Sequence, residues 1–152
     1  MNLTAHFTLA ELTASAKARA LGLDNTPPAD VLPRLVLLAE MLERIRATLG
    51  EPITVTSGYR SPAVNRAVGG ITNSDHTLGL AADIVCPAVG TPYVLAKRLA
   101  PLVQTLCIGQ LILEGMRGKQ WLHVSTRAPA QACNRVITIT DAGTQPGIQE
   151  LA

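Results

Sequence analysis

Aromatic residues make up only 3% of this 152-residue chain, with one Trp, one Phe and two Tyr. So few rings cannot build the stacking platforms on which single-stranded nucleic acids are held. Charge of one sign is lacking too: 13 basic and 11 acidic residues leave a formal net charge of +2, and no run of Lys and Arg forms a phosphate-binding stripe. Nucleic acid is therefore not an expected partner. No segment approaches the ~20 consecutive apolar residues that span a bilayer, and the opening MNLTAHFTLAELTAS lacks a basic region followed by an apolar stretch. The expectation is a soluble protein, cytoplasmic on synthesis and not inserted in a membrane. The cysteines, Cys86, Cys107 and Cys133, are three in number and far apart. That pattern fits neither a disulfide framework nor a CxxC metal knuckle, so they read as buried or idle thiols.

What the chain does have is apolar bulk, 47% of its residues. This suffices for one sizeable core and not for two ordinary domains, and a monomer is expected. Thr8 and Glu11 make a capping box that predicts a first helix from Leu9 to Ala20. Leu35, Leu38, Leu42, Ile45 and Leu49 recur at steps of three and four, the apolar stripe of a long helix that Gly50 stops. Ile53 to Ser57 alternates as a strand and runs into a Gly58-Tyr59-Arg60 turn, and Ser61-Pro62 opens a short helix closed by Gly69-Gly70. A strand is expected from Ala81 to Cys86, then a helix opened by Thr91-Pro92 and kinked or shortened by Pro101. Gln110 to Glu114 and Gln120 to Ser125 read as a hairpin around the loop GMRGK. Arg135 to Thr140 reads as an edge strand, ahead of a loosely held tail, DAGTQPGIQELA. Helices first and strands later predict an α+β fold, N-terminal helices packed on a mainly antiparallel sheet.

Two polar residues stand out of place. Asp83 lies inside the apolar strand LAADIVC, where a carboxylate without a cation or donors is expensive to bury. His123 lies in QWLHVS, with Trp121 and Ser125 on its face and Leu122 and Val124 on the other. His76 precedes Asp83 across a Gly79 turn that allows the chain to double back. Two histidines and a carboxylate are a set from which catalytic zinc sites are made, a fourth position being left for water.

The segments SGYRSPAVN, SDHTLGLAAD and WLHVS, in that order, resemble the zinc D-alanyl-D-alanine carboxypeptidase family. That family also holds the phage L-alanyl-D-glutamate endopeptidases and shares its fold with the hedgehog signalling domain. Its pattern, S-x-H-x-x-G-x-A-x-D and then a His linked to a tryptophan, appears as Ser74, His76, Gly79, Ala81 and Asp83, with Trp121 and His123. HFTLAELTASAKARALGLDN and GEPITVTSGYRSP are similar to its small phage and prophage branch, so the likeness covers 1–127. This implies a zinc peptidase domain over 1–127 and a C-terminal extension over 128–152.

The resemblance further implies that His76, Asp83 and His123 bind one zinc ion, and that Arg60 reaches toward the substrate carbonyl or carboxylate. Arg suits that task because its planar fork donates two parallel charge-assisted bonds. Ser57, Tyr59 and Ser74 are expected to line the same pocket, Ser74 also orienting the His76 loop. Many relatives carry the general base three residues before the last His, but here that residue is Gln120, which cannot move a proton. Glu114 is the expected replacement, and Asp75, expected to face solvent, is a remoter candidate. The implied substrate is the stem peptide of bacterial peptidoglycan and the implied setting a phage or prophage lysin. The rival, kept alive by Gln120, is a non-catalytic zinc domain that binds the wall or serves a virion structurally.

Overall fold

The computed structural model describes residues 1–151. Its first expected helix is two, α1 (Leu9–Thr13) and α2 (Ala16–Leu21). The Thr8 capping box is present, Thr8 Oγ accepting from Glu11 N at 3.1 Å and the Glu11 carboxylate accepting from Thr8 N at 2.9 Å. Ser15 breaks the helix: its backbone is extended and its Oγ accepts from Ala18 N at 3.1 Å, so the hydroxyl starts α2 rather than riding through a longer helix. The long helix α3 (Leu32–Leu49) buries Leu35, Leu38, Met41, Leu42, Ile45 and Leu49 along one stripe, and Gly50 stops it with φ 69°. Two more helices follow, α4 (Pro62–Ala67) and α5 (Pro92–Leu99), each opened by a Ser or Thr cap and a proline.

The strands β1 (Thr54–Ser57), β2 (Ala81–Val85), β3 (Gln110–Met116), β4 (Lys119–Ser125), β5 (Val136–Thr140) and β6 (Gly143–Pro146) form one sheet in the order β1-β2-β4-β3-β5-β6. The β3–β4 hairpin is tighter than the sequence implied. It closes on Arg117 and Gly118, both left-handed at φ 53° and 76°, the backbone that matches the twist of paired strands.

The sheet is mixed, which corrects the mainly antiparallel expectation: β5 lies parallel to β3. The cause is topological. β4 ends opposite the start of β3, at Ser125 and Gln110, and its outer edge is already taken by β2. The connector over 126–135 reaches the free edge of β3 at that same end, so Val136 pairs with Leu111 and the chain runs in β3's direction. Nor is Arg135 to Thr140 the edge, or the tail loose. β6 pairs antiparallel with β5, Thr138 Oγ1 donates to Gly147 O at 2.8 Å and accepts from Gln149 N at 2.9 Å, and Leu151 packs against the core.

Alternation along the strands gives the sheet two unlike faces. Ala82, Ile84, Leu111, Leu113, Leu122 and Val124 join α3 and α5 in the hydrophobic core. Asp83, Ile112, Glu114, His123 and Ser125, at the intervening positions, stand on the opposite face. Among the described residues no helix is long and apolar enough to cross a membrane. Cys86 is buried, while Cys107 and Cys133 are exposed and unpaired with one another.

Candidate metal centre

Asp83 and His123 are partners in the β2–β4 ladder, and Ser57 and Ile112 extend the same row into β1 and β3. Cross-strand partners share a face with their Cβ atoms ~5 Å apart, so register alone sets the carboxylate beside the imidazole. His76 arrives from outside the sheet, on a single 3-10 turn, Asp75–Leu78. Ser74 caps this turn, its Oγ accepting from His76 N at 3.2 Å. Gly79 ends it at φ 72°, where a Cβ would lie 2.6 Å from Val31 Cγ1, so glycine alone lets the chain fold back into β2.

The three side chains converge. His76 Nε2 and His123 Nδ1 lie 3.3 Å and 3.2 Å from Asp83 Oδ1. All three donor atoms fall within 4.8 Å of one another, and the residues are only 3%, 7% and 8% exposed. His76 Nδ1 sits 2.7 Å from Gly58 O. A carbonyl only accepts, so Nδ1 carries the hydrogen and a neutral His76 turns its Nε2 lone pair on the Asp83 carboxylate. Acceptors crowded in a buried place need a cation between them. A tetrahedral zinc with bonds of ~2.0–2.1 Å spaces its ligands at ~3.3 Å, and imidazole with carboxylate is a donor set zinc takes. The residues present fit the ion.

Without metal, protons act as the cation. Burial alone would raise the Asp83 pKa, yet hydrogen bonds from His123 and His76, together with their charge, hold it well below the usual carboxylate range. Burial would lower His123, but the hydrogen bond and charge of Asp83, aided by Glu114 and Asp75, raise it above its ordinary value. The signs then fix a stability profile for the metal-free chain. The depressed Asp83 contributes stability that is present above its unfolded pKa of ~3.9 and lost as pH falls toward the folded value. The elevated His123 contributes stability that is complete below ~6.5 and lost as pH rises through its folded pKa. Urea unfolding in a chelator should therefore show greatest stability between about pH 4 and 6.5. Asp83→Asn should flatten both flanks, and an unchanged profile in that variant would contradict the assignment.

Glu114 lies two residues beyond Ile112 on the same face, its Oε1 3.9 Å from His123 Nδ1 and its side chain 22% exposed. Burial pushes its carboxyl above the usual range; His123 and Arg60 pull it down and Asp83 adds to the rise, with the balance upward. Gln120 belongs to the other set of positions, opposite Gly115 in a regular ladder, so its side chain does not share the His123 face.

Arg60 is tethered beside this cluster. Its Nε donates to Ser57 Oγ at 3.2 Å and its Nη1 to Asn65 Oδ1 at 3.0 Å, leaving Nη2 3.7 Å from Asp83 Oδ2. Burial lowers the guanidinium's pKa, against the opposing pull of Asp83 and Glu114. Asn65 is a member of the site that sequence reasoning passed over. It is 3% exposed and its Nδ2 donates to Ile71 O at 2.8 Å. A Cβ on Gly70 would lie 2.0 Å from Asn65 Oδ1 and 2.9 Å from Arg60 Nη1, so the glycine makes room for the pair. The signal was available: an asparagine inside a short helix is a poor helix former with a polar group to satisfy.

Two expected positions are corrected. Tyr59 is not in the cleft; it is buried in the hydrophobic core, and burial followed by Asp24 and Asp30 raises its pKa. Asp75 does not face solvent. Its side chain is 11% exposed, accepting from Ser125 Oγ at 2.8 Å and pairing with Arg127. Ser57 and Ser74 are beside the cluster, engaged with Arg60 and with the backbone of His76.

The family model described as Peptidase M15 matches residues 5–125, which takes in the helices, the His76 turn and the strands bearing Asp83, Glu114 and His123. Among curated proteins, none matches the chain closely enough to count as a relative. With most of its length matched and a His-Asp-His group that could hold a metal ion at its centre, the chain belongs to the peptidase M15 family, a family of zinc metallopeptidases.

Proposed function

We propose that this metallopeptidase hydrolyses amide bonds in the stem peptides of bacterial peptidoglycan, of the D-alanyl-D-alanine or L-alanyl-D-glutamate type, with His76, Asp83 and His123 holding one zinc ion. The observation that carries the reading is a partly exposed carboxylate, Glu114, 3.9 Å from a buried His-Asp-His cluster that needs a cation. A wall-binding or structural domain needs the cluster but not the carboxylate. Bound there, zinc would polarise the scissile carbonyl and acidify the attacking water. Glu114 takes the proton of that water and gives it to the leaving nitrogen, a task suited to a carboxyl whose pKa burial has raised above the usual range. Arg60, with two nitrogens committed to Ser57 and Asn65, turns Nη2 to the oxygen on which negative charge develops. The likeness of the opening segments to the small phage branch supports a phage or prophage lysin, with the hedgehog-like fold that goes with it.

The test is mass spectrometry of purified muropeptides incubated with zinc-loaded protein. Release of free D-alanine marks carboxypeptidase action, and a larger fragment marks endopeptidase action. Stoichiometric zinc without any product would leave the binding-domain reading in place. Asn65→Ala should lower kcat/KM about tenfold by freeing Arg60, roughly one charge-assisted hydrogen bond's worth. Zinc affinity should stay unchanged, and Gly70→Ala should act in the same direction by displacing the pair. If Asn65→Ala loses zinc instead, its role is in folding the His76 turn.

A further inference from the structure

We infer that the hollow beyond His123 is a substrate subsite that takes a free carboxylate of the bound peptide, an inference that rests on the peptidase reading. The hollow encloses about 430 Å³ and is lined by Asp75, Gln110, Arg127 and residues 128–130. Gln110 and Ser125 are ladder partners two residues along from the Ile112 and His123 pair. At 3.4 Å per residue this puts the hollow ~7 Å from the metal centre on the same face, with Glu114 a similar step away on the other side. From Glu114 to Gln110 is thus ~14 Å, the length of about four residues of extended peptide.

The wall of the hollow is fixed. Ser125 is fully buried, donates to Asp75 Oδ2 at 2.8 Å and accepts from Arg127 N at 3.1 Å. Asp75 Oδ1 pairs with Arg127 Nη2, so each oxygen of the carboxylate has one donor from the wall itself. Arg127 is different. Its side chain is 53% exposed, and among the described residues its Nε and Nη1 have no partner. Beside it the Gln110 Nε2 donates to Asn134 O at 2.9 Å, which holds the amide in place at the other wall. Ala128, Pro129 and Ala130 complete an apolar rim suited to methyl-sized side chains. An oriented guanidinium with free donors recognises a carboxylate, and the D-glutamyl residue of stem peptides carries one within two residues of an L-alanyl-D-glutamate bond.

The probe is γ-D-glutamyl-L-lysinamide, whose one carboxylate is the glutamyl α-carboxylate, compared with the same compound amidated there as well. Neither contains the bonds this enzyme is proposed to cut, so calorimetry on the zinc-loaded chain reads binding without turnover. The carboxylate form should bind about tenfold more tightly or better, the ratio of a charge-assisted to a neutral contact. Arg127→Ala should bring the two forms to equal affinity. Arg127→Gln, which keeps a donor for Asp75 but removes the charge, should do the same, and Arg127→Lys should keep part of the preference. Equal binding of the two forms by wild type, or an undiminished preference in Arg127→Gln, overturns the subsite. A chain that discriminates the probes yet releases nothing from muropeptides keeps the subsite and loses the peptidase reading; one that hydrolyses without discriminating does the reverse.

Discussion

Asp83→Asn should abolish peptide hydrolysis and weaken zinc binding by more than ~100-fold, the upper range for losing an outer partner of a metal ligand. Asparagine keeps the shape of the side chain, so the row from Ser57 through Asp83 to His123 stays in register. What would go is the negative charge available to balance a divalent ion between two imidazoles. The Arg60 guanidinium, 3.7 Å from Asp83 Oδ2, then faces the cluster without its anion and repels the metal as well. Equilibrium dialysis with metal analysis measures the affinity, and the muropeptide assay measures the activity. Wild-type zinc affinity in the folded variant would show that the three side chains do not share an ion.

That site was legible because its members break the rules of the elements that carry them. Asp83 is a carboxylate in the otherwise apolar strand AADIV and His123 an imidazole between Leu122 and Val124, and nothing local explains either. Their meeting follows from strand register, which the Ala81 to Cys86 and Gln120 to Ser125 patterns already contained. The apolar stripe of α3 was legible for a similar reason: a period of 3.6 over 18 residues has no other reading.

What stayed hidden depends on the path of the chain between elements. The parallel β5 follows from which edge of the sheet is still free, a fact of the assembled sheet and not of the segment VITIT. Tyr59 follows a register irregularity between Val55 and Ser57, so counting alternate positions from Ser57 cannot say where its ring goes. Asp75 looked like a surface residue because its partners, Ser125 and Arg127, lie 50 and 52 positions away. Gln120 stands three before His123 in a regular strand, and an odd offset puts the two on opposite faces.

Glu114→Gln should accordingly lower kcat by 10²–10⁴-fold, the range for loss of a positioned acid-base group, while zinc binding is retained. Glutamine fills the same space and can still touch His123, so the ion is kept and only proton transfer is lost. The pH profile separates this from a loss of binding. The base works deprotonated, so wild-type kcat/KM rises with pH through the Glu114 pKa, which burial has moved upward. The variant's residual rate should lack that limb. Stability moves the other way: a carboxyl whose folded pKa lies above its unfolded value destabilises the fold once pH passes that value, so Glu114→Gln should unfold at higher urea than wild type at neutral pH. Adding Gln120→Glu to this variant should restore nothing, because a carboxylate at that position stands on the wrong face of β4. Recovery of activity in the double variant, or undiminished activity in Glu114→Gln, would place the proton shuttle outside β3.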